Sequence, residues 1–295
     1  MKRKAPEQDS EPESDNDSES SGPQEIVDVD FDFFNPEQLD FHALKRLLNQ
    51  LFSADAELIN VSDLVDIILE ENHVGTTVKV DGQQSDPYAI LSIINLNHNK
   101  NNEGVKSLHS YIMSKCPQKE EKTLKEILSL DSDKHVGWVV SERFINMPME
   151  VMPPMYSMMQ EEVQTAAKKN EPYTFEWYMF IVKTYRETES NVDNEDEEEQ
   201  EEPPKKKGKK KAKAPAVSSE VFYFQPEDEV IDKYSSHRFD FKFTNRDKEA
   251  SADARRTFSE FGIAPSRRLI LVHQSKFPQM IEEIEKTCSL QQSNS

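Results

Sequence analysis

The pattern of apolar and polar positions predicts one strand that is covered on both faces. Apolar residues run without alternation from Val136 to Val140, and such runs are typical of strands in the middle of a layered sheet. The run passes into the polar triplet Ser141-Glu142-Arg143, and the segment stops at Pro148. Helical sequence lies on either side of it. We therefore expect this strand to lie in the centre of the fold.

Strict alternation predicts a second kind of strand, with one acidic face, near the N-terminus. Between Ile26 and Phe34, apolar residues alternate with carboxylates at Asp28, Asp30 and Asp32. Because side chains alternate across a strand, the three carboxylates share one face, which we expect to be solvated or to face a partner. Similar apolar segments predict further strands at 74–80, 89–96, 174–185, 221–224, 238–244 and 268–272.

Apolar residues at helical spacing predict helices between these strands. Leu44, Leu47, Leu48 and Leu51 form one such stripe, with Asp40 as the predicted N-cap, and Ser62 is predicted to cap a second helix. Further helices are predicted at 105–116, 120–130, 149–169 and from residue 278. This irregular interleaving favours an α+β (mixed α/β) fold with a central mixed sheet and helices on both faces.

Composition divides the chain into one folded domain and several charged segments. Apolar residues make up 35% of the chain, which is low for a fully folded protein. The region 1–24 is polar throughout, and 187–219 passes from acids into lysines, so both are predicted to be disordered. We expect a single globular domain formed by 25–186 and 220–290, followed by a flexible C-terminus at 291–295.

The formal net charge of -20 narrows the class of partner. A charge of this sign repels nucleic-acid phosphates, so we expect no direct binding of nucleic acid, and it attracts basic proteins such as ribosomal proteins or histones. The alternative is that the acids only keep the protein soluble.

No stretch approaches the length of about 20 apolar residues that a membrane span needs. The two cysteines are too few for a disulfide framework, which favours a cytosolic or nuclear protein.

A lysine block inside the charged insert matches a nuclear import signal. Seven lysines occur within the nine residues 205–213, a density typical of such signals, with nucleic-acid contact as the rival interpretation. The adjacent acids would weaken binding to phosphate. We therefore predict recognition by a nuclear import receptor through Lys205, Lys206, Lys207, Lys209, Lys210 and Lys211.

The chain lacks the residue spacings that common catalytic and cofactor sites need. Its seven glycines include no G-x-G pair, and Cys116 lies far from Cys288, so we expect no cofactor and no metal site. Glu142 and Arg143 could act as a general acid and an anion clamp, but a structural or partner-binding role is the simpler interpretation. The candidate partner-binding residues are Asp28, Asp30, Asp32, Ser141, Glu142, Arg143, Asn146, Glu197, Glu198 and Glu199.

One block of sequence resembles a known family. The segment 141–148, which reads Ser-Glu-Arg-Phe-Ile-Asn-Met-Pro, is followed by Pro154-Met155-Tyr156, and both resemble the BCCIP family. The resemblance extends to 47–52, to 71–75 and to the aromatic strand after residue 170, and it covers about 26–290. The acidic N-terminus and the charged insert also fit the family.

The resemblance implies a function as well as a fold. BCCIP-family proteins are nuclear and cytoplasmic and have no established enzymatic activity. Resemblance to the fungal members implies a role in the nuclear export of proteins, among them a phosphoinositide kinase. It also implies chaperoning of a basic large-subunit ribosomal protein. Animal members are named for binding a recombination protein and a cyclin-dependent kinase inhibitor. We therefore expect a protein located in the nucleus that shuttles to the cytoplasm.

The family fold resembles the GNAT acetyltransferases, which raises an enzyme alternative. Those enzymes hold the pyrophosphate of acetyl-CoA with a Q/R-x-x-G-x-G/A loop, whereas the loop 97–104 has one glycine. We therefore expect a non-catalytic acidic chaperone or adaptor. One alternative is a scaffold in DNA repair and cell-cycle control, and the other is an acyltransferase. Ser141, Glu142, Arg143 and Asn146 form either a hydrogen-bonded strand-to-helix junction or part of a binding surface.

Overall fold

A computed structural model describes residues 30–187, 220–245 and 262–292 of the 295-residue chain. The N-terminal tail, nearly all of the charged insert and the residues after 292 lie outside these ranges. The predictions for those segments therefore stay predictions. They concern the strand residues 26–29, Glu197 to Glu199 and the lysine block.

Eight strands in the described part of the chain form one sheet. They are β1 (Asp32–Phe34), β2 (Gly75–Lys79), β3 (Ala89–Asn95), β4 (Val136–Arg143), β5 (Trp177–Glu187), β6 (Phe222–Tyr223), β7 (His237–Phe241) and β8 (Ile263–His273). The order across the sheet is β1-β2-β3-β4-β5-β8-β7, and β6 pairs with β5 beside this path. The strand that the sequence places at the centre is β4, in the middle of this order.

The pairing of β4 with β5 is the one parallel pairing among these strands, and it is short. It covers Val136 to Trp138 against Trp177 to Met179, and the other neighbouring pairs are antiparallel. Beyond Trp138 the two strands no longer pair. The far half of β5 pairs instead with β6, through Thr184 and Tyr185.

Helices cover both faces of the sheet. The α-helices of the described residues are α1 (Phe41–Phe52), α2 (Val61–Glu70), α3 (Glu103–Lys115), α4 (Glu121–Ile127), α5 (Met152–Lys168), α6 (Pro226–Lys233) and α7 (Phe277–Gln292). Four one-turn or two-turn 3-10 helices lie at Gln38–Asp40, Ser53–Leu58, Met149–Val151 and Gln274–Lys276. Within the described ranges, no helix combines the length and the apolar composition that crossing a bilayer requires.

The core consists of two apolar layers separated by the sheet. Val136, Trp138 and Val140 of β4 pack with α1 to α4, while Val139 points to the opposite layer with α5, α6 and α7. All four side chains are buried. The prediction of a strand covered on both faces is confirmed, and so is the mixed sheet with helices on both faces.

The methionine-rich stripe of α5 belongs to the second layer. Met155 and Met159 are buried against the sheet, as are Val163 and Ala166. Met158 lies at the edge of this layer and is half-buried. The stripe therefore packs in the core, as the sequence predicts.

Neither predicted cap forms a capping hydrogen bond: Asp40 occupies the N-cap position of α1 without one, and Ser62 lies inside α2. The Asp40 carboxylate accepts the backbone N–H of Glu37 at 3.0 Å and binds Lys79 Nζ at 2.6 Å, so it does not cap α1. Ser62 lies inside the first turn of α2 and accepts a hydrogen bond from Lys45 Nζ at 2.8 Å. Tertiary contacts thus take both side chains away from the helix ends.

Two strands are longer than predicted because long-range pairing extends them. β8 reaches from Ile263 to His273 because it pairs with β5 along its whole length. β4 continues through Ser141, Glu142 and Arg143, since Arg143 is still in register with Ala89 of β3. The polar triplet is therefore part of the strand and not the loop that follows it.

Candidate functional site

The register of the strands brings acidic residues from distant segments to one end of the sheet. Asp32 starts β1 opposite Lys79, which ends β2, and Ala89 starts β3 opposite Arg143, which ends β4. Because β4 and β5 are parallel, β5 also ends at this side. We call this region the acidic end, and its exposed carboxylates are Asp32, Asp81, Asp86, Glu150 and Glu187.

Three cations near the acidic end form ion pairs with carboxylates of this chain. Lys79 is fully buried against Asp40, with side-chain exposures of 1% and 0%. Arg46 binds Asp86 at 2.8 Å on the surface. Arg186 binds Asp240 at 2.6 Å. Arg46 neutralises Asp86, so the negative charge of this end comes from Asp32, Asp81, Glu150 and Glu187.

Arg143 connects the end of β4 to α6 beneath this surface. Its Nε donates to Oε1 of Glu227 at 3.0 Å, and its Nη2 donates to Oε2 at 3.1 Å. A paired fork of this kind is among the strongest side-chain contacts. The remaining Nη1 donates to the carbonyl of Met147 at 2.6 Å, which holds the turn after β4. Arg143 and Glu227 are both buried.

Glu142 points to the opposite face of the sheet and bridges the gap between the parallel strands. It forms an ion pair of 2.5 Å with Lys183 of β5, beyond the point where β4 and β5 stop pairing. Burial raises the pKa of Glu142, and the charge of Lys183 acts in the opposite direction. Burial and the adjacent Glu227 also raise the pKa of Asp228 well above its ordinary value. Buried carboxyl groups thus concentrate at this junction.

Ser141 lies against the second apolar layer, next to Tyr156 of α5. Tyr156 is fully buried. Burial raises the pKa of the Tyr156 hydroxyl, and its contact with Ser141 partly offsets that effect. The two sequence blocks that carry the resemblance, 141–148 and 154–156, therefore meet in the interior.

The predicted site residues separate into three groups. Glu142 and Arg143 are buried at 2% and 5% exposure, and their side chains pair with Lys183 and Glu227 of this chain, as in the strand-to-helix junction that was one of the two predicted alternatives. Asp30, Asp32 and Asn146 are exposed, and Ser141 is half-buried. Asp28, Glu197, Glu198 and Glu199 lie outside the described residues.

Sequence reasoning missed the other members of the acidic end. Asp81 and Asp86 share the loop between β2 and β3, and Glu150 and Glu187 lie in two other segments far along the chain, so no local pattern connects the four. The hairpin loop between β2 and β3 and the ends of β4 and β5 bring them to one side. Only the register of the sheet could have revealed this set.

Comparison with known proteins places the chain in a family. A family model described as BCCIP matches residues 26–231. The chain belongs to the BCCIP family.

Two fungal relatives and one solved structure support this membership. Protein bcp1 of Schizosaccharomyces pombe is 41% identical over 264 residues, which cover 88% of this chain and 90% of that protein. Protein bcp1 of Emericella nidulans is 39% identical over 269 residues, covering 91% and 90%. The crystal structure of BCP1 from Saccharomyces cerevisiae matches with a TM-score of 0.59 and 26% identity, over 92% of this chain and 93% of that one.

The loop that could hold a cofactor phosphate in this BCCIP-family fold is already engaged by side chains. The N–H groups of Asn97 and His98 both donate to Oδ1 of Asn95 at 3.0 Å. At the start of α3, the N–H groups of Gly104 and Val105 donate to Oδ1 of Asn102 at 2.8 and 3.4 Å. A phosphate would have to displace these bonds. Among the described residues, no group of three or more His, Cys, Asp or Glu side chains could hold a metal ion.

Proposed function

We propose that this BCCIP-family protein is an acidic chaperone or transport adaptor for basic client proteins. It would act in nuclear export and in assembly of the large ribosomal subunit, as the family resemblance implies. The observation that carries the proposal is the acidic end, where carboxylates from four segments of the chain lie at one side of the sheet. A basic ribosomal protein is the client that this charge suits best.

Charge complementarity gives such a surface two effects on a basic client. It accelerates encounter by steering, and it disfavours acidic partners through like-charge repulsion. The chain leaves the described fold at Glu187 and re-enters it at Glu220, near β6, so both ends of the charged insert connect to the acidic end. Glu197 to Glu199 and the lysine block both belong to this insert.

The test compares two full-length variants that each remove three carboxylate charges. Asp32→Asn/Asp81→Asn/Glu150→Gln changes the acidic end, and Asp66→Asn/Glu70→Gln/Asp133→Asn changes exposed acids elsewhere. The probe is the mixture of basic proteins extracted from purified large ribosomal subunits. We expect the first variant to lower affinity about tenfold at low salt and the control to retain it.

The salt dependence of binding supplies the second readout. The affinity of the unmodified protein should fall steeply between about 50 and about 500 mM salt, and the acidic-end variant should show a smaller slope. Equal affinity at both salt concentrations, or equal losses in the two variants, would contradict the proposal.

The identity of the client needs a separate experiment. Affinity purification of the tagged protein, followed by mass spectrometry, distinguishes a ribosomal protein from the other partners that the resemblance implies, a phosphoinositide kinase and DNA-repair factors. We expect a basic large-subunit ribosomal protein to be enriched. Recovery of repair factors without ribosomal protein would favour the scaffold alternative.

A further inference from the structure

The turn after β4 presents an isoleucine to solvent beside the acidic end. The N–H of Met147 donates to the carbonyl of Phe144 at 3.0 Å, which makes Ile145 and Asn146 the central residues of a four-residue turn. Ile145 is 77% exposed. The next most exposed large apolar side chain in the described residues, Leu58, reaches 43%.

The exposure of Ile145 is not the result of a loose turn, since contacts fix the backbone on both sides. The carbonyl of Met147 accepts from Arg143 at 2.6 Å, and the N–H of Phe144 donates to the carbonyl of Tyr88 at 3.1 Å. The rings of Phe144 and Tyr88 meet edge to face at 5.9 Å. Met147 itself is 6% exposed.

An isoleucine at this position gives the isolated fold no benefit. Turn centres favour Asn, Asp, Gly and Pro, which suit the backbone and hydrogen-bond to it. Burying an isoleucine stabilises a fold, and this chain forgoes most of that gain at Ile145. Single exposed apolar residues are common on protein surfaces. Ile145 differs from them because hydrogen bonds on both sides fix the backbone of its turn, so binding would cost little ordering of the backbone.

The charges around the turn select the kind of partner. Glu150 lies in the 3-10 helix that follows the turn, and Asp86, which is paired with Arg46 at 2.8 Å, lies two residues before Tyr88, which bonds to the turn. Both carboxylates are exposed. A second copy of this chain, with a net charge of -20, would bring like charges together at such a surface. A basic segment would bring opposite charges.

We propose that Ile145 is the apolar anchor of the acidic end and that it contacts an apolar side chain flanked by Lys or Arg in the client. This inference rests on the proposed function and adds a chemical requirement to it. Charge alone would accept any basic segment. With the anchor, the protein prefers basic segments that also carry a large apolar residue.

The test uses two fluorescent peptides that differ at one position. Both are lysine-rich and of equal charge, and one carries a central leucine where the other carries alanine. The full-length protein should bind the leucine peptide more tightly, and Ile145→Ser should weaken that binding about fivefold to tenfold while leaving the alanine peptide unchanged. Leu58→Ser, which alters an exposed apolar residue in another segment, should change neither affinity.

Four other outcomes would overturn the anchor, and one of them would also overturn the proposed function. Equal affinities of unmodified protein and Ile145→Ser for the leucine peptide, with the acidic-end variant still weakened, would overturn the anchor and leave the proposed function standing. Equal weakening for both peptides would also overturn the anchor, because the loss would not depend on the apolar side chain. Binding of neither peptide would overturn both proposals. A dimer of the unmodified protein in sedimentation that Ile145→Ser dissociates would assign the anchor to self-association and overturn the client contact.

Discussion

At the scale of single residues, two blocks that carry the family resemblance, 141–148 and 71–75, form junctions between elements. Arg143 joins β4 to α6 through Glu227 and to the following turn through Met147. In the other block, Glu71 accepts from the hydroxyl of Tyr173 at 2.9 Å, and the Asn72 amide donates to the carbonyl of Pro36 at 3.0 Å. Residues of both blocks therefore hold distant segments of the chain together.

The Arg143 junction makes a quantitative prediction. Arg143→Ala should lower the free energy of unfolding by about 3–5 kcal/mol, because it leaves the Glu227 carboxylate buried without its partner. Urea unfolding followed by circular dichroism measures this loss.

A matched control separates burial from charge. Arg46→Ala removes an arginine from an exposed ion pair, whose side chains are 58% and 63% accessible, and should cost less than about 1 kcal/mol. Arg143→Met/Glu227→Leu, which removes both charges, should recover much of the stability lost in Arg143→Ala. Equal losses for Arg143→Ala and Arg46→Ala would contradict the interpretation of the junction.

At the scale of elements, Asp55 ties the 3-10 helix after α1 to the segment that follows β7. Its carboxylate accepts the N–H groups of Thr244 and Asn245 at 2.8 and 2.9 Å. It also accepts from the Tyr111 hydroxyl at 2.9 Å and from Lys115 Nζ at 3.0 Å. One fully buried side chain thus positions segments that are far apart in the sequence.

The surroundings of Asp55 set the direction of a pH effect. Burial alone would raise the pKa of its carboxyl group, but the four donors, led by Thr244 and Asn245, outweigh burial and lower that pKa. The stabilisation is therefore complete above the unfolded-state pKa of about 3.9 and is lost as the pH falls through the lower folded-state value.

Replacement of Asp55 should show this effect. Asp55→Asn should lower the free energy of unfolding by about 2 kcal/mol at neutral pH, since charge-assisted hydrogen bonds are lost. It should also make stability decline less steeply as the pH falls from about 4 to about 2. Urea unfolding across this range measures both effects, with the exposed Asp66→Asn as the control. An equally steep decline in Asp55→Asn and in the unmodified protein would exclude this role.

At the scale of the whole molecule, the proposed client surface and the predicted import signal lie in different segments of the chain. The acidic end collects carboxylates from several strands, and the chain leaves the fold there towards the acidic stretch and the lysine block. A basic client and an import receptor would therefore use different parts of the chain. We propose on this basis that the import signal works independently of client binding.

Localisation tests that independence. Replacing Lys205, Lys206, Lys207, Lys209, Lys210 and Lys211 with alanine should reduce nuclear accumulation of a fluorescent fusion, because the receptor loses its basic motif. Binding of ribosomal proteins should be unchanged. Replacing the exposed Lys119, Lys122 and Lys168 is the control.

The N-terminal cluster Lys2-Arg3-Lys4 could also contribute to import, so the experiment includes a chain in which it is replaced as well. Unchanged nuclear accumulation when both basic clusters are absent would contradict the prediction.

The sequence by itself determined the elements and the layers. Runs and alternations of apolar residues predicted β4, α1 and the mixed sheet, because periodicity is a local property that reports which side of an element is buried. The family could also be recognised from continuous blocks of residues. Helix caps were less predictable, since Asp40 bonds to Lys79, 39 residues further along the chain.

Only the tertiary structure decided which charged residues are buried and which are exposed. Residue type does not reveal burial when the compensating charge is distant, as with Arg143 and Glu227, which are 84 residues apart. The acidic end likewise depends on strand register, which pairs Asp32 with Lys79 and Ala89 with Arg143. Register is set by which apolar side chains face the core and by pairing between strands that are distant in the sequence, so it is decided only when the sheet forms.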